Sequence, residues 1–163
     1  MMKVEQLMTR DVQTCCPGDP MSTAARIMWE RDCGCVPVVE QEDGGARVVG
    51  MITDRDICMA AYTQGRPLSD IRIDSAMSRA VRCCRFSDPV GTALKIFEHD
   101  QLHRLPVLDQ NDHLVGVLSL ADAAREAAHE HRRTAKDVTD AEIGEAIEAI
   151  SARRSARGVA VAA

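Results

Sequence analysis

The chain is written twice. Gly50-Met51-Ile52-Thr53-Asp54-Arg55-Asp56 returns as Gly116-Val117-Leu118-Ser119-Leu120-Ala121-Asp122, each stretch following a Val-Pro-Val or Leu-Pro-Val strand signal. Self-similarity constrains the fold closely, because each copy must bury an equivalent face in an equivalent way. Asp19-Pro20 pairs with Asp88-Pro89, Thr23-Ala24 with Thr92-Ala93, Ile27 with Ile96 and Pro37 with Pro106, all 69 residues apart. Past that point the offset drops to 66, since Gly50 pairs with Gly116 and Asp56 with Asp122. The missing residues fall where the first copy has Glu42-Asp43-Gly44-Gly45 and the second the shorter Asn111-Asp112. Hairpin loops tolerate such length changes best.

Periodicity and punctuation give each copy the order strand, helix, strand, strand, helix. In the first copy a strand near Val12 to Cys15 leads to a Pro17-Gly18 turn. Asp19-Pro20 then reads as an N-cap followed by proline at the first helical position. Met21, Ala24, Ala25, Met28 and Trp29 fall at helical spacing to about Arg31, and Val36 to Glu40 and Arg47 to Ile52 form a hairpin around Asp43-Gly44-Gly45. A second helix is expected from Thr53 to about Tyr62, closed by Gln64-Gly65-Arg66-Pro67. The second copy predicts a strand near Val81 to Cys83 and a helix from Pro89 to about His99. Strands at Arg104 to Leu108 and Leu114 to Leu118 follow, then a helix from about Leu120 towards His131.

Two units that small, with only 2% aromatic residues, must share a core of aliphatic side chains. The expected fold is α+β, two β-α-β-β-α units (4–66 and 70–128) packed sheet to sheet with pseudo-two-fold symmetry, followed by a tail (129–163). In the tail, Thr139-Asp140-Ala141-Glu142 has the pattern of a capping box, and Ile143, Ile147 and Ile150 mark one helical stripe. Residues 139–151 are read as either a short amphipathic helix docking on a partner subunit or a solvated segment, with disorder beyond Ser151.

A net charge of -5 argues against nucleic acid as a partner. The apolar runs, such as Val36 to Val39, are too short to span a bilayer, and no apolar stretch follows Met1-Met2-Lys3-Val4-Glu5 as a secretory signal needs. A cytoplasmic protein without membrane attachment is expected. Its seven cysteines read as free thiols. Cys15-Cys16 and Cys83-Cys84 fall at nearly the same point of each copy, as small hydrophobes on buried strands or as a redox pair. Cys33-Gly34-Cys35 lacks a second pair at zinc spacing, so no metal site is assigned. No nucleophile elbow, phosphate loop or paired histidines with a carboxylate are present, so an enzyme is not expected.

The repeated turn carries the chemistry. Gly50 and Gly116 permit close backbone approach, Thr53 and Ser119 stand at a helix start, and Asp56 and Asp122 follow three residues on. One reading is a cap, in which hydroxyl and carboxylate satisfy orphan amides. The other is a ribose-phosphate site: amides and hydroxyl face phosphate, and the carboxylate accepts from the ribose diol.

Gly-h-h-Thr/Ser-x-x-Asp (h, apolar) after an h-Pro-Val strand, repeated 66 residues on and led in each copy by Leu7-Met8 or Ala76-Met77, resembles a tandem pair of CBS (cystathionine β-synthase) domains, a Bateman module. The resemblance runs from about Val4 to Ala128. It implies two clefts between the sheets for adenosine-containing ligands: AMP, ADP, ATP or S-adenosylmethionine. By position, Asp56 and Asp122 would hold ribose hydroxyls, with Thr53 and Ser119 near ribose or phosphate. Before the h-Pro-Val strand, His103 and Arg104 in the second copy stand where the first has Gly34-Cys35. Arg104 can offer a bidentate fork to phosphate, and Arg55 a charge from the helix side. Unequal clefts follow. Adenine would rest on Thr14, Cys15, Val36, Pro37, Val81, Arg82 and Leu105. The function implied is a non-catalytic regulatory module that senses an adenosyl ligand, needs no obligatory cofactor, forms a homodimer and acts on itself or on an unidentified regulated protein. The alternatives are a scaffold with empty clefts and a thiol-based redox regulator.

Overall fold

Met21, Ala24, Ile27 and Met28 recur at three- and four-residue spacing, and all four are buried on one face of α1 (Met21–Arg31). The computed structural model describes residues 1–130 and 139–151. After α1 the first copy forms β1 (Cys35–Glu42), β2 (Gly45–Thr53) and α2 (Asp54–Gln64). The second copy forms β3 (Cys84–Arg85), α3 (Val90–Asp100), β4 (Arg104–Leu108), β5 (Leu114–Ser119) and α4 (Leu120–Glu130), and α5 (Asp140–Ser151) follows. β1–β2 and β4–β5 are antiparallel hairpins, and β3 runs parallel to β4. In the first copy the leading strand shrinks to one parallel bridge, Cys15 to Val38. Cys15 is therefore the counterpart of Cys84. The strand expected at Val81 to Cys83 lies instead at Cys84–Arg85, and Cys15 alone remains of the one expected at Val12 to Cys15.

Asp19 and Asp88 do not cap helices. Each bends back to close a turn, Asp19 Oδ2 accepting from Cys16 N at 2.8 Å and Asp88 Oδ2 from Arg85 N at 2.8 Å. The first helical amides find partners elsewhere: Met21 N donates to Ile71 O (2.8 Å) and Val90 N to Met2 O (3.0 Å). Each helix start is thus closed by the leading segment of the other copy, which leaves the aspartates free for the turns.

That exchange organises the molecule. Val4 and Met8, which lead the first copy, are buried against Phe97, Leu105 and Leu118 of the second. Ile71, Ile73 and Met77, which lead the second, are buried against Met21, Val36 and Ile52 of the first. Thr9 pairs with Val117 of β5 (Thr9 N to Val117 O 2.9 Å, Val117 N to Thr9 O 3.0 Å), and Ser78 pairs with Met51 of β2 in the same way. The two repeated glycines exist for this crossing. A Cβ at Gly116 would stand 2.7 Å from Met8 Sδ and 2.9 Å from Thr9 O; one at Gly50 would stand 2.7 Å from Met77 Sδ and 3.1 Å from Ser78 O. The close approach expected of them is made to a crossing strand. The sheets meet through β2 and β5, joined at one end by an Arg47–His113 bridge.

α5 starts at a reciprocal cap, with Thr139 Oγ1 accepting from Glu142 N (3.2 Å) and Glu142 Oε2 accepting from Thr139 N (2.8 Å). It packs on α3 and α4 of its own chain. Ile143 and Ala146 are buried and Ile150 packs against the same core, whereas Ile147 is 48% exposed. The buried stripe is therefore Ile143, Ala146 and Ile150, and it covers α3 and α4 of the same chain. The disorder expected beyond Ser151 lies outside the described residues.

Candidate functional site

Each hairpin runs into its following helix through a reciprocal cap. Thr53 Oγ1 accepts from Asp56 N (3.2 Å), while Asp56 Oδ2 accepts from Thr53 N (2.9 Å) and from the Thr53 hydroxyl (2.7 Å). Ser119 and Asp122 repeat this at 3.2, 2.8 and 2.6 Å. The capping and ribose readings use different atoms, because the cap engages only Oδ2 and the second oxygen remains. Asp56 Oδ1 has no hydrogen-bond partner among the described residues. Asp122 Oδ1 already accepts from Arg125 Nη2, the partner in a helix-surface ion pair.

Each capping box faces the other copy. Beside Asp56 lies a cavity of about 630 Å³ whose opposite wall is Val81, Arg82, Leu102, His103 and Pro106 of the second copy. Beside Asp122 lies one of about 480 Å³ whose opposite wall is Val12, Gln13, Cys33 and Pro37 of the first. Both volumes suit a small-molecule ligand. His103, although in the same copy as Asp122, lines the Asp56 cleft and not the other. Arg104 borders both cavities, but its guanidinium lies on the Asp56 side. A Cβ at Gly34, which lines only that cleft, would stand 3.6 Å from Arg104 Nη2 and 3.3 Å from Asp54 Oδ2.

Around the shared carboxylates, Asp56 and Asp122, the cationic residues of the two clefts differ. Around the Asp56 cleft, Arg55 and Arg82 stand where the Asp122 cleft has Ala121 and Gln13, and His103 and Arg104 take the positions that Gly34 and Cys35 hold in the first copy. Arg82 is engaged with Asp100 at 3.0 Å, but Arg55 and Arg104 have no carboxylate partner among the described residues. In the Asp122 cleft Arg31 pairs with Asp11 (2.9 Å) and Arg125 with Asp122, so its cations are largely neutralised from within.

Strand alternation sorts the expected adenine contacts. Cys35 and Pro37, and likewise Arg104 and Pro106, line clefts, while Val36 and Leu105 between them are buried in the two cores. Of the seven expected, Pro37, Val81 and Arg82 line clefts. Val36, Leu105 and Cys15 are core residues, and Thr14 lies in neither lining. Pro106 and Val12 also line the clefts, positions that the 69-residue offset from Pro37 and Val81 supplies directly. Met51 and Val117, two residues before the capping hydroxyls, line them too and carry no motif signal of their own.

The thiols proposed as a redox pair are not cleft groups. Of the four, Cys16 is exposed and Cys83 half-buried, whereas Cys15 and Cys84 are 2% and 4% exposed. Burial pushes Cys15 and Cys84 up to about 12, aided by the carboxylates of Asp19 and Asp88, so those two form no reactive thiolate near neutral pH. Cys35, at the wall between the clefts, is pushed up to about 11 by burial, with the charge of Arg104 opposing.

The CBS domain family matches residues 4–62 and 68–129. A CBS domain-containing protein of Bacillus subtilis, YhcV, is 34% identical over 124 residues, covering 76% of this chain and 84% of that protein. The gamma-3 subunit of the 5'-AMP-activated protein kinase of Bos taurus is 29% identical over 119 residues, which cover 69% of this chain and 23% of the subunit. Among solved structures, the CBS domain pair of protein MJ0100, in complex with 5'-methylthioadenosine and S-adenosyl-L-methionine, superposes with a TM-score of 0.69 at 22% identity, over 80% of this chain and 98% of that one. The repeated cap, the exchanged leads and the paired clefts are thus features of a chain that belongs to the CBS domain family, with two such domains in tandem.

Proposed function

We propose that the chain is a non-catalytic regulatory module that senses an adenosine-containing ligand, and that a phosphorylated one binds in the Asp56 cleft. One observation carries this reading. Asp56, whose Oδ1 is left over from its cap, lines the same cavity as Arg55 and Arg104, whose guanidiniums have no carboxylate partner among the described residues. The oxygen suits a ribose diol and the guanidiniums suit phosphate, each charge-assisted contact contributing roughly 1.5–3 kcal/mol. The complex of the MJ0100 pair with adenosyl ligands and the kinship with the kinase gamma subunit support the ligand class. The Asp122 cleft, neutralised by its own ion pairs, suits an adenosyl ligand without phosphate. Ligand binding regulates only by favouring one arrangement of the module or its partner.

The same module pairs with a second copy through the helices of the first repeat. Trp29 and Tyr62 are 89% and 81% exposed on α1 and α2, whereas the equivalent groove between α3 and α4 is covered by α5. Two of the few aromatic side chains left in water on adjacent helices favour a protein contact.

The test is a melting-point panel with adenosine, AMP, ADP, ATP and S-adenosylmethionine on wild type, Asp56→Ala and Asp122→Ala. A ligand at 100 times its Kd adds about 2.7 kcal/mol. Stabilisation by a nucleotide that Asp56→Ala removes and Asp122→Ala retains is the expected result. A nucleotide shift that survives in Asp56→Ala refutes the assignment, and no shift with any compound refutes the sensing role.

A further inference from the structure

We propose that α5 forms a third wall of the Asp56 cleft, and that ligand held there locks α5 onto the second repeat, so that occupancy is read out in the C-terminal part of the chain. This rests on the ligand-binding reading of that cleft and extends it beyond the two domains, because α5 lies outside the residues the family match covers.

Two contacts tie the helix to the site. Ile150 lines the Asp56 cavity and not the Asp122 cavity. Gln101, the left-handed residue (φ 53°) that closes α3, lines the same cavity and donates from Nε2 to Ala149 O at 2.9 Å. One side chain therefore borders the ligand space and holds the last turn of α5. The counterpart of Gln101, Asp32, closes α1 and lines the Asp122 cleft, and no described helix packs over it. The asymmetry between the clefts is thus also an asymmetry of walls.

α5 is suited to respond. It has 12 residues, near the length below which an isolated helix is marginal in water, so tertiary contacts must hold it. Those contacts are made by one apolar stripe on α3 and α4: Ile143 and Ala146 buried, Ile150 partly. Gly144 weakens the helix further, and no packing calls for it, since a Cβ there meets nothing within 4 Å. A docked helix completes the wall that ligand touches; an undocked one removes Ile150 from it. Ligand therefore favours the docked state, and by linkage docking favours ligand by the same factor.

The test uses the full chain with ADP as probe. Hydrogen exchange of residues 140–151 is followed with and without ADP, and calorimetry measures ADP affinity for wild type, Asp56→Ala, Ile150→Gln and Ile143→Ser. Ile143 lies away from the cleft, so its variant reports coupling rather than contact. The expected result is slower exchange in α5 on ADP binding and an affinity loss of about 3- to 10-fold in both isoleucine variants. If ADP binds, Asp56→Ala abolishes the binding, and yet α5 exchange and both isoleucine variants match wild type, the role of α5 is overturned while the cleft assignment stands. If α5 slows equally in Asp56→Ala, it responds to another site and the proposal fails. If ADP produces no binding heat with wild type, the cleft reading fails and this inference falls with it.

Discussion

Replacing Gly116 with alanine tests the exchange of leading segments on which both clefts depend. The added Cβ would sit 2.9 Å from Thr9 O and 2.7 Å from Met8 Sδ, where ordinary contact begins near 3.4 Å. The thioether can swing, but Met8 is only 8% exposed and has little room. Thr9 O cannot move alone, because it accepts from Val117 N at 3.0 Å and its own N donates to Val117 O at 2.9 Å. Relief requires the lead to move about half an ångström, straining both bonds. Overpacking of this kind costs about 1–3 kcal/mol, and each weakened hydrogen bond up to about 1 kcal/mol more. We expect a loss of about 2–4 kcal/mol in urea unfolding and a Tm lower by roughly 5–15 °C. Gly50→Ala should be milder, since its nearest backbone atom, Ser78 O, lies at 3.1 Å. Gly91→Ala on α3 serves as control: nothing lies within 4 Å of its Cβ, so it should be neutral or stabilising by up to about 1 kcal/mol. A Gly116→Ala protein melting within about 2 °C of wild type would refute the crossing, since the three atoms nearest that Cβ all belong to the crossing lead.

Three further results are expected. Arg104→Gln should weaken ADP about 10- to 100-fold while leaving adenosine nearly unchanged, measured by calorimetry, because it removes a charge-assisted phosphate contact and little else. Trp29, the single tryptophan, is 89% exposed in one chain, so its emission should shift to the blue as concentration rises and pairs form; Trp29→Glu should hold the chain monomeric by light scattering, and concentration-independent emission would rule out pairing through α1. Cys16 and Cys58 are exposed and should react with a thiol reagent well before Cys15 and Cys84. The latter two are raised from 9.0 to about 12, so the unfolded chain ionises before the folded one. Their contribution is complete below pH 9 and is lost as pH rises towards 12; urea unfolding at pH 8 and 10.5 should show the lower stability at pH 10.5, and equal stabilities would contradict the burial of both thiols.

Much of this protein is decided locally and is legible in the order of its residues. The repeat follows from matched residues 69 and 66 apart, and the hairpins, the caps at Thr53 and Ser119 and the helix at Thr139 follow from short-range chemistry that each segment carries with it. What stayed hidden is non-local. Nothing in Met1 to Thr9 says that this segment completes the second repeat's core, because a duplicated chain offers each lead two similar places and only the packed pair selects between them. For the same reason His103 could not be assigned to Asp56 by reading along the chain: cleft walls are built across the pseudo-two-fold axis, and sequence position records membership in a copy, not facing. Nor could the spare oxygen of Asp56 be told from the engaged one of Asp122, a difference made by Arg125 one helical turn away and by what each cavity encloses. The hairpins, the helices and the caps at Thr53, Ser119 and Thr139 could be read from residue order, because they are settled by neighbours a few residues apart; the caps expected at Asp19 and Asp88, the leading strands and the facing of the two halves could not, because those are settled by packing between segments far apart in the chain.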